Sequence, residues 1–152
     1  MPDKNKTPKF KKNKPGRRIR TMNAYTGFTP FIMKTRGDAS NYFKDAVEIR
    51  AAEKYLREKR AQGYKGAGML HMFIAAYVRV ISQKPALNRY ITGQRAYARK
   101  NIEVVMSVKK AMAEDAGDTS IKVIFDPRDT FIDVYTKMND AIEHVKSGNE
   151  TA

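Results

Sequence analysis

Two histidines, His71 and His144, are the only side chains of this chain whose ordinary pKa suits proton transfer near neutral pH. His71 lies within an apolar stretch that reads as a core-bearing helix, so its expected role is packing or a structural hydrogen bond. His144 falls close to the end of a second helical stretch, where the helix dipole favours the charged imidazole. Ser107, Thr119 and Ser120 have no His or Asp at a spacing that would activate a nucleophile. The acidic group Glu114, Asp115 and Asp118 lacks the order of ligands that a calcium loop needs and reads as a solvated turn. There is no cysteine, which removes disulfides, thiolate metal sites and a thiol nucleophile. No glycine-rich phosphate loop is visible. The tripeptide Arg36-Gly37-Asp38 is an integrin-binding pattern short enough to recur by chance. No catalytic residue is therefore assigned.

The elements that would position these groups follow from hydrophobic spacing. Thr35 to Asn41 reads as a turn. From Phe43, the residues Phe43, Asp45, Val47 and Ile49 alternate with Lys44, Glu48 and Arg50, which predicts a strand over 42–50. Ala51 to Ala61 is rich in helix formers and is stopped by Gly63 and Gly66. Gly68 to Lys84 predicts a helix with Met69, Met72, Phe73, Ala76, Tyr77 and Val80 as its core-facing stripe, ended by Pro85. Ile91–Arg99 and Ile102–Met112 predict two extended segments forming a hairpin about Lys100-Asn101. Ile121, Val123 and Phe125 mark a further strand closed by Asp126-Pro127. A last helix is capped by Thr130 and Asp133, places Phe131, Val134, Tyr135, Met138, Ile142 and Val145 on one face, and stops at Gly148. This order predicts an α+β protein, a two-layer sandwich with helices on one side of a sheet.

At 152 residues the chain has room for one domain. Its net charge is +14, and residues 1–20 contribute +8 of it through nine basic side chains against Asp3. Rich in Lys, Pro and Asn, this segment cannot bury enough surface to offset its ordering entropy, and residues 1–24 read as a disordered basic arm. The expected domain spans 25–148, with 149–152 a tail. The arm admits weak, salt-sensitive contact with nucleic acid through residues 1–20. The part expected to fold shows no aromatic and basic strand pattern of the RNA-binding kind. The apolar run Met69–Ala76 is far shorter than the roughly 20 residues of a membrane span. No signal-peptide core follows the basic start, and the expected location is cytoplasmic.

Val47-Glu48-Ile49, the helix ending Lys84-Pro85-Ala86-Leu87-Asn88, Arg99-Lys100-Asn101-Ile102-Glu103, the strand Ile102–Val108 and Lys122-Val123-Ile124-Phe125-Asp126-Pro127 together resemble the catalytic domain of 2-oxo acid dehydrogenase acyltransferases and the related chloramphenicol acetyltransferases. The resemblance covers about residues 35–146 and is confined to fold-bearing elements of the N-terminal half of such a domain. It implies a partial chloramphenicol acetyltransferase-like fold, a coenzyme A thioester as substrate, and assembly as a trimer or with a companion chain that carries the catalytic half. In that family the general base is the histidine of an H-x-x-x-D-G motif. Neither His71, followed by Met-Phe-Ile-Ala-Ala, nor His144, followed by Val-Lys-Ser-Gly-Asn, carries it. The resemblance further implies that Tyr42 and Phe43 line the acceptor pocket, with Arg36 near the same strand. The readings that compete with a split or truncated acyltransferase are a non-catalytic structural or regulatory subunit and a small basic nucleic-acid-binding protein.

Overall fold

The computed structural model describes residues 15–109 and 118–147. It is a mixed α+β fold with two small antiparallel sheets. The elements run β1 (Gly16–Arg18), α1 (Ala24–Ile32), α2 (Arg50–Ala61), α3 (Met69–Gln83), a 3-10 turn (Pro85–Leu87), β2 (Arg89–Thr92), β3 (Arg95–Arg99), β4 (Ile102–Lys109), β5 (Asp118–Phe125) and α4 (Phe131–Lys146). β1, β3 and β2 form one sheet in that order, and β4 pairs with β5 in the other.

The main core lies where α3 and α4 cover β4–β5. Ile102 pairs with Phe125, Val104 with Val123 and Met106 with Ile121, so the alternate residues of both strands face the helices together. Ile74, Val78 and Ile81 of α3 and Val134 and Met138 of α4 complete the cluster. Val78, Val134 and Met138 have no exposed surface. The long face of α4 is the predicted one. Its N-terminal box is present: Asp133 Oδ2 accepts from the Thr130 N–H at 2.8 Å and from the Thr130 hydroxyl at 2.7 Å. These bonds hold the Asp133 carboxyl below the usual carboxylate range, through the Thr130 side chain first and its backbone second.

Four expectations are corrected. The stripe expected to face the core on α3 faces outward: Phe73 is 72% exposed, and Met69, Tyr77 and Val80 are also exposed. The true inner stripe is His71, Ile74, Val78 and Ile81. Both stripes are apolar and sit side by side at helical spacing, so periodicity alone does not choose between them. The hairpin is not at Lys100-Asn101. It joins β2 to β3 through Gly93 (φ +54°) and Gln94 (φ +57°), a two-residue turn whose positive φ values match the strand twist, and β4 pairs with β5 instead of β3. The strand expected over 42–50 does not form. Residues 41–49 have no regular structure: among the described residues no strand pairs with them to satisfy their backbone, and α2 already begins at Arg50.

The fourth correction concerns the basic arm expected over 1–24. Residues 1–14 lie outside those described, but Gly16–Arg18 pairs with Tyr97–Arg99, and Ala24–Ile32 is helical, capped by the Asn23 side chain. Gly16 is required here: a Cβ would sit 2.4 Å from the Ala98 carbonyl oxygen and 2.8 Å from Cε1 of Tyr90. The acidic residues Glu114 and Asp115 and the expected helix stop at Gly148 lie outside the described residues. The Thr35–Asn41 turn forms as expected, locked by Thr35 N–H to Asp38 Oδ2 at 3.0 Å and Asp38 N–H to Thr35 Oγ1 at 3.2 Å. α2 also forms, with Leu56 buried beneath it.

Candidate functional site

Tyr42 and Phe43, the residues assigned to a pocket by resemblance, are each 94% exposed. They project from the irregular 41–49 segment, and Arg36 sits in the exposed turn before it. Val47 and Ile49, expected to alternate with them in a strand, are exposed as well.

His71 is held as a structural histidine. It is 8% exposed, at the third position of α3, and its Nδ1 accepts the N–H of Gly68 at 3.2 Å. This is half of a capping box, with Gly68 having no side chain to return the bond. An amide can only donate, so the bond selects the neutral tautomer that carries its proton on Nε2. Burial pushes the imidazole pKa down, and Asn139, which faces the ring, opposes that shift. Nε2 itself closes no hydrogen bond of ordinary length. The ring lies 5.2 Å from that of Tyr135, which Tyr64 meets edge-on at 5.4 Å. With Nδ1 engaged by the Gly68 N–H and the ring packed against Tyr135, the His71 imidazole serves the local structure. His144 is exposed, in the last turn of α4.

One acidic side chain is tied into the fold in the same way. Asp129 accepts from the Asp126 N–H at 2.8 Å and pairs with Lys137, closing the loop that enters α4. Among the described residues no group of three or more His, Asp or Glu side chains is placed to hold a metal ion. No helix among them is long and apolar enough to cross a membrane.

Two surfaces remain that the fold exposes at a cost. The first is the outer stripe of α3: Met69, Leu70, Phe73, Tyr77 and Val80 are all at least 42% exposed. Arg79 is the only charged residue between Met69 and Gln83. A helix apolar on both sides is the kind buried between two layers. β4 and β5 add to it, since each pairs only with the other among the described residues and leaves an open edge.

The second surface is on the β1–β3–β2 sheet. Arg18 pairs with Tyr97 and Tyr97 with Tyr90, so the three form one cross-strand row on one face, and Arg95 and Arg99 share that face by the two-residue strand period. The Tyr90 and Tyr97 rings stack at 5.2 Å with an interplanar angle of 16°, and the Arg99 guanidinium lies 4.9 Å from the centre of the Tyr90 ring. This aromatic and basic pattern departs from the expectation for the folded part. Its signal is present in Arg95-x-Tyr97-x-Arg99, but its significance depends on Arg18 and Tyr90 joining from strands far apart in sequence.

Comparison of the chain with protein-family models, with curated proteins and with solved structures gave no match.

Proposed function

We propose that this chain forms the front portion of an acyltransferase-type domain of the 2-oxo acid dehydrogenase and chloramphenicol acetyltransferase class, a two-layer sandwich completed by a further segment. The completing segment lies in the same polypeptide or in a companion chain, and it carries the histidine of an H-x-x-x-D-G motif. The reaction is acyl transfer between coenzyme A and an acceptor thiol or hydroxyl. The base removes the acceptor's proton as its oxygen or sulfur attacks the thioester carbonyl, an oxyanion forms and is held by a donor, and coenzyme A leaves as the thiol.

The observation that carries this reading is the second apolar stripe of α3. Phe73, Leu70 and Val80 are side chains whose full burial is worth roughly 1.5–3 kcal/mol each, and the described fold leaves them in water. A covering layer converts that exposure into binding energy. The open edges of β4 and β5 and the alternating but unpaired 43–49 segment are consistent with the same missing layer. His71 fits a scaffold role, because its Nδ1 accepts the Gly68 N–H and its ring packs against Tyr135.

The test is to combine this chain with a candidate completing segment bearing the histidine motif and to follow thiol release from acetyl coenzyme A. The reading expects a stable complex that buries α3 and releases thiol, and loss of release when the motif histidine is replaced. Assembly without thiol release identifies a non-catalytic subunit. No assembly with any such segment, together with a compact monomeric chain, overturns the reading.

A further inference from the structure

We infer that the β1–β3–β2 sheet is a binding face for single-stranded nucleic acid, with Tyr97 and Tyr90 as its base-stacking platform and Arg18, Arg95 and Arg99 as its phosphate contacts. The sheet is made of strands other than β4 and β5, whose edges a covering layer would occupy.

Charge comes first. Neither the strand-bearing segment 16–21 nor 88–100 contains a single Asp or Glu, and together they hold seven Arg and Lys residues. Among the described residues Arg18, Arg95 and Arg99 make no ion pair, so their charge is not spent within the fold. All three are exposed. Such concentrated, unneutralised charge raises the local concentration of a polyanion.

The rings decide which polyanion. A general electrostatic patch needs only lysines, whereas this face stacks two nearly parallel tyrosine rings across neighbouring strands and sets a guanidinium against one of them. The packing is enforced by Gly16, which leaves the space that Tyr90 fills. Both rings are only partly buried. A platform of flat rings next to fork-shaped donors suits a ligand that alternates planar bases with phosphates, and single strands leave their bases free to stack. An acidic protein segment offers the charge without the rings, and duplex hides its base faces. Residues 1–14 add six lysines to the charge of the chain.

The experiment is fluorescence anisotropy of a labelled twelve-nucleotide oligo(U) with the full chain over a range of salt concentrations. Tyr97→Leu keeps an apolar strand residue and removes the stacking ring; it is expected to weaken binding by about tenfold or more. Arg18→Gln with Arg99→Gln, both at exposed positions, is expected to reduce the slope of log K against log salt by about 1.4. A full-length variant with every lysine of residues 1–14 changed to Gln is expected to bind more weakly while keeping its dependence on Tyr97. Circular dichroism of each variant establishes that the sheet is intact, and the arginine variant keeps the test decisive if Tyr97→Leu unfolds it.

Binding that is unchanged by both the Tyr97 and the Arg18/Arg99 substitutions overturns the inference. So does loss of all binding in the lysine variant alone. Polyglutamate displacing the oligonucleotide as well as unlabelled oligo(U) does assigns the face to acidic proteins. Coenzyme A displacing it one for one assigns the face to a nucleotide cofactor. Thiol release from the completed domain is measured separately, so either proposal fails without the other.

Discussion

Phe73→Ala and Val78→Ala, just over one turn apart on α3, separate the two faces of that helix. Val78 has no exposed surface and packs in the cluster with Val134 and Met138. Removing its two methyl groups forfeits about 1.6 kcal/mol of transfer free energy, and the residual cavity brings the cost to about 2–3 kcal/mol. With a urea m-value of about 2 kcal/mol/M, the unfolding midpoint falls by roughly 1–1.5 M. Phe73 is 72% exposed, so truncation removes only about a quarter of the burial of a core phenylalanine, and alanine's better helix propensity offsets about 0.5 kcal/mol of that. The expected midpoint shift is under about 0.3 M. Once a covering layer is present the ranking changes, because Phe73→Ala now loses a buried ring and weakens the assembly by about 2–3 kcal/mol, roughly 30- to 150-fold in Kd. Chemical denaturation of the chain alone, followed by titration with the completing segment, measures both numbers. A Phe73→Ala shift as large as that of Val78→Ala would refute the assignment of the faces. An unchanged Kd would refute the covering layer.

Three further outcomes are expected. Lowering the pH below about 6.5 should reduce stability, since the unfolded chain takes up a proton on His71 that the folded chain, with its lowered pKa, refuses. His71→Gln, which still offers an acceptor to the Gly68 N–H, should flatten the urea midpoint between about pH 7 and 5.5. Gly16→Val should unpair β1, because its Cβ meets the Ala98 carbonyl at 2.4 Å; amide exchange at Lys100, whose N–H bonds the Pro15 carbonyl at 3.2 Å, reads the loss. Thr130→Ala should remove the cap on α4 and cost about 0.5–2 kcal/mol in thermal or urea unfolding.

The helices are largely legible in the sequence because each is long enough for its pattern to repeat. α4 carries both its face and its cap in sequence, and α3 stops at a proline. The orientation of α3 is not legible, since Ile74, Val78 and Ile81 compete with Phe73, Tyr77 and Val80 on equal hydrophobic terms. Strand positions are readable where β-branched residues alternate, as in β4 and β5, but their partners are not. Pairing is a long-range property, and Gly93-Gln94 reads as the middle of one extended segment where it is the turn between two. The exposed 41–49 segment shows the limit from the other side: alternation predicts a strand only if a sheet is present to receive it. For the candidate sites, the structural role of the His71 imidazole is legible from its setting in an apolar helix. Tyr42 and Phe43 rest on resemblance alone, and the Tyr90–Tyr97 row requires the register of three strands.

The covering layer over α3 is the central claim, and the most direct measurement is the intact and native mass of the protein purified from its natural source. The account predicts either a polypeptide heavier than the 17.3 kDa of these 152 residues, with an H-x-x-x-D-G histidine among the additional ones, or a co-purifying chain that carries it. A 17.3 kDa species that is monomeric, well folded and free of any companion chain would contradict it.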